Sequence, residues 1–302
     1  MEEKVLYSME SPFQQEINVK GYYFGKNEGK EHSACIVGAL RGNEYQQLYI
    51  CSKLIDVLKK IEKHGDIVGE NGILVIPSVS NMSMDFGKRF WISDDTDLNR
   101  LFPGNPSGES GSRVAYAIME TTKGYRYGIH LPSFYLGGTF MPHIRLLDPE
   151  HGSTSLANLF GLPYVIEAKS RPFDRTTLHN NWQKNGTEAF SLYTGMTGKI
   201  DDELAAQAVS SILRFLTRMG IIRYYSHSGY IASVLKEGDL EPIMTEAAGI
   251  FIKKAECGQE VSRGDVLAQI MKADSGEIIS EVKAPTDGII FYAETRPVVY
   301  SN

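Results

Sequence analysis

The chain has 302 residues, of which 42% are hydrophobic and 23% charged, with a formal net charge of -6. This composition is typical of a globular protein with one large domain, or a large and a smaller one. The acidic balance argues against nucleic acid and anionic membrane surfaces as partners. No apolar run reaches the length of a membrane span. Three cysteines without a CxxC pair, and an N-terminus without a signal peptide, predict a cytoplasmic protein.

Hydrophobic spacing predicts a series of strands and helices in the first two thirds of the chain. In order, these are an edge strand or hairpin over 16–25, a buried strand over 33–38, a helix over 45–64, a buried strand over 72–77, a helix over 110–122, a strand over 127–131, a helix over 153–160, strands over 164–167 and 189–193, and a helix over 201–219. Residues 78–110 are expected to form one long functional loop without structure of its own. Strands that alternate with helices predict a doubly wound α/β sheet.

After about residue 226 the pattern changes to short strands and turns, with strands expected over 249–253, 264–270, 278–283 and 288–292. These segments resemble the barrel of biotinyl and lipoyl carrier domains. A carrier needs a lysine at the hairpin tip, whereas residues 274–277 read Asp-Ser-Gly-Glu. We therefore expect a non-carrier barrel, incomplete at its last strand. The predicted domains are 1–226 and 227–302.

The most informative stretch lies at 36–45, where an apolar strand leads through a tight turn into a helix. Arg41 and Glu44 stand three residues apart in this turn, so both can face the space where the strand ends. In open α/β sheets, ligands bind at this edge. Taken alone, the stretch is better interpreted as an ordinary strand–turn–helix with a surface ion pair.

Four features together carry a family resemblance. They are Arg-Gly-Asn-Glu at 41–44, Asp-Leu-Asn-Arg-Leu-Phe-Pro-Gly at 97–104, His130 near a strand end, and the C-terminal barrel. In this order they resemble the succinylglutamate desuccinylase/aspartoacylase family, within the zinc carboxypeptidase superfamily, over residues 30–300. The resemblance implies an α/β fold with a zinc-carboxypeptidase-like mixed sheet flanked by helices and a small C-terminal β-barrel. It also implies a zinc-dependent amide hydrolase that acts on an N-acyl amino acid or a related small amide.

The resemblance assigns roles to five residues. Glu44 matches the zinc carboxylate and His130 the second zinc histidine, which together with a first histidine would hold one zinc ion and leave a position for water. Asn99 and Arg100 match the pair that holds the substrate carboxylate. Arg89 matches an arginine that polarises the scissile carbonyl, a task that suits a planar guanidinium.

Two positions depart from the family pattern. Arg41 stands where the first zinc histidine is expected, and arginine cannot act as a zinc ligand because it keeps its proton. Tyr193 stands at the place of the general-base glutamate, and a phenol is a poor base at neutral pH. The two changes are consistent with each other, since a site without zinc has no activated water to deprotonate.

Three hypotheses follow. The first is a zinc amide hydrolase with a replacement ligand drawn from His143, His151 and His179. The second is a non-catalytic protein that either binds a small carboxylate or serves as partner subunit of an active paralogue or of its own copy, with binding through Arg41, Arg89, Asn99 and Arg100. The third is a metal-free enzyme in which Tyr193 acts as an acid.

Overall fold

The computed structural model describes residues 1–11, 13–26, 32–134, 137–148 and 154–301. The strands are β1 (Glu2–Glu10), β2 (Glu16–Gly25), β3 (His32–Ala39), β4 (Gly72–Ser78), β5 (Tyr125–His130), β6 (Thr139–Leu147), β7 (Tyr164–Ala168), β8 (Glu188–Met196), β9 (Ser233–Lys236), β10 (Gly249–Lys253), β11 (Glu260–Val261), β12 (Val266–Met271), β13 (Ile278–Lys283), β14 (Gly288–Ile289), β15 (Tyr292–Ala293) and β16 (Val298–Val299). The helices are α1 (Tyr45–Lys63), α2 (Asn81–Asp85), α3 (Ser110–Thr122), α4 (Thr154–Asn158), α5 (Leu178–Lys184) and α6 (Asp202–Arg218). Short 3-10 helices cover Leu98–Arg100, Pro172–Thr176 and Glu237–Asp239.

Ten strands form one mixed sheet in the order β1-β2-β4-β3-β5-β8-β6-β7-β9, and β15 pairs with β6. Strands β4, β3, β5 and β8 run parallel to one another. Strand β6 is antiparallel to β8, and β7 and β9 continue parallel to β6. The sheet therefore has two groups of parallel strands whose carboxyl ends lie at opposite edges.

Helices cover both faces of this sheet. One core contains the apolar side of α1 and α6, and the other contains side chains of α3 and α5. Strand β3 supplies both cores, since Ile36 lies in the first and Val37 in the second. Such burial on both faces explains its continuous apolar run. The predicted α/β class, with a mixed sheet flanked by helices, is confirmed.

Most predicted elements lie within a few residues of the observed ones, but the long loop does not. Its residues form helix α2 and the 3-10 turn Leu98–Arg100, so the expectation of a connection without structure was wrong. The sequence reading also missed β1, β6, β9 and α5. No helix in the described part of the chain combines the length and the apolar character that crossing a membrane requires.

The C-terminal region contains a four-stranded antiparallel sheet in the order β13-β12-β10-β16 and a separate β11–β14 pair. It has a small core of its own around Ala255, Leu267 and Ala284. Strand β15 leaves this region to pair with the start of β6, with Tyr292 opposite Phe140. Strand β9 belongs to the main sheet although it follows residue 226. The division at 226 remains a prediction.

One close contact between strand and helix gives a test of packing. A Cβ at Gly128 in β5 would come within 2.5 Å of the ring of Trp182, which is fully buried on α5. We expect Gly128→Ala to lower the free energy of unfolding by about 1–3 kcal/mol, because the buried indole has no room to move. Urea titration measures the effect. The control is Gly238→Ala, where nothing lies within 4 Å of the added carbon. Equal stability of the two variants would contradict the packing argument.

Candidate functional site

Strands β3, β5 and β8 end at the same edge of the sheet, and the predicted site residues gather there. Glu44 lies in the turn between β3 and α1 and has no exposed surface. Its Oε2 accepts hydrogen bonds from the backbone nitrogens of Leu40 at 2.8 Å and Arg41 at 3.0 Å. Its Oε1 accepts from Arg41 Nη1 at 3.0 Å, and from the nitrogen and Oγ of Ser133 at 3.1 and 2.5 Å. Five donors therefore surround one carboxylate.

Arg41 lies between two acids. Its Nη1 pairs with Glu44, while Nε and Nη2 each lie 2.9 Å from an oxygen of Asp97. A fourth N–H reaches the carbonyl of Ser133 at 3.5 Å, which leaves one of the five guanidinium N–H groups. Burial alone would lower the pKa of Arg41, but Glu44 and Asp97 outweigh it and raise that pKa. Arg41 is therefore a fixed, buried positive charge.

These contacts decide whether a zinc ion fits. An ionised carboxylate offers about four lone-pair sites, and the donors around Glu44 use all of them. The guanidinium of Arg41 holds the place beside Glu44 that the family resemblance gives to the ion. No group of three or more histidine, cysteine, aspartate or glutamate side chains in the described ranges could hold a metal. The residues present do not fit zinc in this arrangement.

His130 and His179 lie deep in the site. Both are buried, and neither Nε2 has a hydrogen-bond partner among the described residues. His130 at the end of β5 is in register with Ser191 of β8, and His179 on α5 contacts Ser191 Oγ through Nδ1 at 2.8 Å. Burial, with Arg41 as the next cause, holds the pKa of His130 well below its usual value. Burial lowers the pKa of His179 to about 3. Both imidazoles are therefore neutral at pH 7.

Tyr193 lies on β8 beside the arginines of the site. Its ring stacks on His143 of β6, with centroids 5.0 Å apart and planes 3° from parallel, and Phe140 packs at an angle to both rings. Burial raises the pKa of Tyr193, although Arg145 and Arg41 partly offset it. The phenol is therefore protonated at neutral pH and cannot replace a carboxylate base.

The three remaining predicted residues come from the long loop. Asn99 is buried and accepts the backbone N–H of Leu178 at 3.1 Å. Arg100 lies over the ring of Phe173, 5.2 Å from its centroid. Arg89 Nη1 donates to the carbonyl of Phe134 at 3.4 Å, and its Nη2 lies 4.0 Å from Asp97. Burial and then Arg41 lower the pKa of Arg89.

The charges of the site can be counted. Arg41, Arg89 and Arg100 supply three positive charges, and Glu44 and Asp97 supply two negative ones, all within electrostatic reach of Arg89. One positive charge remains uncompensated. A ligand with a single negative charge would complete this balance.

The structure brings together Arg41, Glu44, Arg89, Asn99, Arg100, His130 and Tyr193 as predicted neighbours at one edge. Of the candidate replacement ligands, His143 faces Tyr193, His179 contacts Ser191, and His151 lies outside the described residues.

The sequence reading missed two residues that the site depends on, Ser133 and Ser191, and it missed the role of Asp97 as the partner of Arg41. Asp97 opens the Asp-Leu-Asn-Arg segment and so had a sequence signal. Ser133 follows His130 by three residues and Ser191 is in register with it, but neither carries a pattern of its own.

Comparisons with known proteins relate the chain to one family. Residues 30–219 match the succinylglutamate desuccinylase/aspartoacylase catalytic domain. The chain is 23% identical to the N-alpha-acetyl-L-2,4-diaminobutyric acid deacetylase of Halomonas elongata, over 87% of this chain and 77% of that protein.

Solved structures share the fold at low sequence identity. A succinylglutamate desuccinylase from Silicibacter sp. TM1040 has a TM-score of 0.81 at 19% identity, covering 98% of this chain and 89% of that one. The product-bound ectoine utilization protein EutE from Ruegeria pomeroyi has a TM-score of 0.80 at 18% identity, covering 97% and 90%.

The buried stack of His143 on Tyr193 generates a prediction about pH. Burial is the main reason that the pKa of His143 falls to about 4, against about 6.5 in an unfolded chain. Between these values the unfolded state binds more protons, so the free energy of unfolding decreases as pH falls from about 6.5 to 4. This group contributes at most about 1.4 kcal/mol per pH unit. Urea unfolding across this range should show a gentler slope for His143→Gln than for the unaltered protein.

The matched control is Tyr193→Phe, which keeps the aromatic stack and the histidine. It should keep the slope of the unaltered protein. An identical slope in His143→Gln would show that this imidazole does not titrate on unfolding.

Proposed function

The chain belongs to the succinylglutamate desuccinylase/aspartoacylase family, and we propose that it binds a small monocarboxylate of the N-acyl amino acid type without zinc. One observation carries the proposal: the guanidinium of Arg41 pairs with Glu44, whose carboxylate is saturated by five donors. The family fold then supplies a binding pocket, while the metal centre of its enzymes is replaced by an internal ion pair.

The carboxylate of the ligand is held by the loop arginines. Arg41 has one N–H left, so it acts on the ligand through its positive charge more than through hydrogen bonds. Arg100 and Arg89 have planar forks that suit bidentate pairing with a carboxylate. The single uncompensated positive charge of the site favours a monoanion. Asn99, fixed by its bond to Leu178, positions Arg100 next to it in the 3-10 turn.

The contacts of Glu44 and the protonated Tyr193 argue against hydrolysis by a metal-activated water. Zinc lowers the pKa of bound water and polarises the carbonyl, and the arrangement around Glu44 has no place for it. Tyr193 holds a proton that it does not give up at neutral pH. Recognition without turnover is therefore the function that these contacts favour.

Amide hydrolysis is the second candidate. Its support is the family itself and the similarity to a deacetylase of N-acetylated diaminobutyric acid. The neutral imidazoles of His130 and His179 are in the form that binds metals. This candidate requires Arg41 to leave Glu44 when the metal enters.

Metal content separates the two candidates. We expect protein purified without chelator to carry far less than one zinc per chain and to leave N-acetyl-L-2,4-diaminobutyrate intact. Arg41→His should gain zinc, because Glu44 is released and forms with His130 and the new histidine a set of two nitrogens and a carboxylate. Elemental analysis measures the gain, with Arg113→His on the exposed side of α3 as control. Near-stoichiometric zinc in the unaltered protein, together with turnover, would overturn the proposal and establish the hydrolase.

Ligand binding tests the proposal directly. We expect N-acetyl-L-alanine to bind one per chain in calorimetry, and Arg100→Met to weaken it roughly 10- to 150-fold. That range corresponds to the loss of one charge-assisted contact worth about 1.5–3 kcal/mol. Arg113→Met removes an exposed arginine elsewhere and should leave the affinity unchanged. If neither N-acetyl-L-alanine nor another N-acyl amino acid binds, the assignment is contradicted.

A further inference from the structure

The mixed sheet has a second edge where parallel strands end. Strands β6 and β7 are parallel, are joined through α4, and run opposite to β8. Their carboxyl ends therefore lie at the edge opposite to the candidate site. Open α/β sheets bind ligands in the crevice outside such carboxyl ends. Asp148 directly follows β6, and Ser170 lies two residues after β7.

A cavity of about 650 Å³ opens at this second edge. Its lining includes Asp148, Ser170, Arg171, Arg175, Asn180 and Lys184, and we call it the basic cavity. None of its lining residues belongs to the candidate site around Arg41. Its volume lies within the range of about 300–1,000 Å³ that small-molecule sites occupy.

The charges of the basic cavity favour an anion. Arg171, Arg175 and Lys184 are exposed cations, and Asp148 is the single acid among the residues that line it. Asp148 Oδ1 accepts the backbone N–H of Ser170 at 2.9 Å, so this acid is already engaged. Arg171 is shared with a neighbour, since its Nη2 lies 3.4 Å from a carboxylate oxygen of Glu237.

The guanidinium of Arg175 has no side-chain partner among the described residues. Within the described ranges, its backbone carbonyl accepts Lys184 Nζ at 3.3 Å, which draws the ammonium toward it, and its guanidinium forms no hydrogen bond. Arg175 and Lys184 both line the cavity. Their cationic groups suit a phosphate group, which carries close to two negative charges and three acceptor oxygens at pH 7.

The side chain of Asn180 adds a second requirement for the ligand, beyond its negative charge. Its side chain lines the cavity, is only 8% exposed, and its Oδ1 has no hydrogen-bond partner among the described residues. Its Nδ2 reaches Ser170 Oγ at the long distance of 3.5 Å. A buried carbonyl oxygen without a donor is unfavourable, so a ligand that brings hydroxyl groups is favoured over a bare anion.

We propose that the basic cavity binds a phosphate monoester that carries free hydroxyl groups. Nucleotides and sugar phosphates share this chemistry. The phosphate lies against Arg175, Lys184 and Arg171, and a hydroxyl donates toward Asn180. The residues that line the basic cavity are not those of the candidate site, and the proposal does not depend on whether that site binds or hydrolyses its ligand.

Calorimetry on the full chain tests this with three probes: AMP, glucose 6-phosphate and methyl phosphate, which is an ester without hydroxyl groups. We expect one ester with hydroxyl groups to bind one per chain, at least tenfold more tightly than methyl phosphate. Whichever of AMP and glucose 6-phosphate binds identifies the ligand class. The double variant Arg175→Ala with Lys184→Ala should weaken that binding at least tenfold, and both side chains are exposed, so folding is preserved.

The matched control is Arg113→Ala with Lys123→Ala, which removes the same charges from exposed positions on α3 and directly after it. It should leave the affinity unchanged. Absence of saturable binding by both hydroxylated esters overturns the proposal. So does an affinity for methyl phosphate equal to theirs, or an equal loss in the two double variants.

Discussion

The buried ion group of Arg41, Glu44 and Asp97 is the interaction on which the rest of the site depends. It joins two separate segments: the turn between β3 and α1, which carries Arg41 and Glu44, and the long loop that carries Asp97. Removal of one member of a buried ion group costs several kcal/mol, because the partner charge is left without compensation. The segments that meet at the sheet edge are therefore held by charge as well as by packing.

The same group changes what the site can do. A zinc ion with a neutral histidine would bring two positive charges and a Lewis acid, whereas Arg41 brings one charge and no open coordination position. Under the proposed function, Arg89 and Arg100, which are unchanged in type from the expected pattern, supply the field that attracts a carboxylate. The same proposal leaves the site without a means of activating water, and Tyr193 at the base position is consistent with it.

The sequence could predict the local part of this site but not its distant part. Arg41 and Glu44 are three residues apart in a turn, so their proximity follows from chain geometry, and Asn99 and Arg100 are adjacent. The pairing of Arg41 with Asp97 spans 56 residues and depends on how the long loop folds. Strand β6 was missed because Pro142, His143 and Arg145 interrupt its apolar pattern. Helix α5 was missed because its buried residues include His179 and two asparagines, which bond to side chains and carbonyls that only the tertiary structure supplies.

The direction of the strands explains where the C-terminal region packs against the main sheet. Because β6 runs opposite to β8, its first residues lie at the candidate-site edge, with Thr139 opposite Met196. Strand β15 adds to β6 at this point, and Phe291 before it packs against His143, with ring centroids 5.1 Å apart. His143 in turn stacks on Tyr193. The C-terminal region therefore packs against the aromatic rings of the candidate site. Arg89 of the long loop reaches the same cluster, since its Nη1 donates to the carbonyl of Phe134, whose ring packs against Phe140.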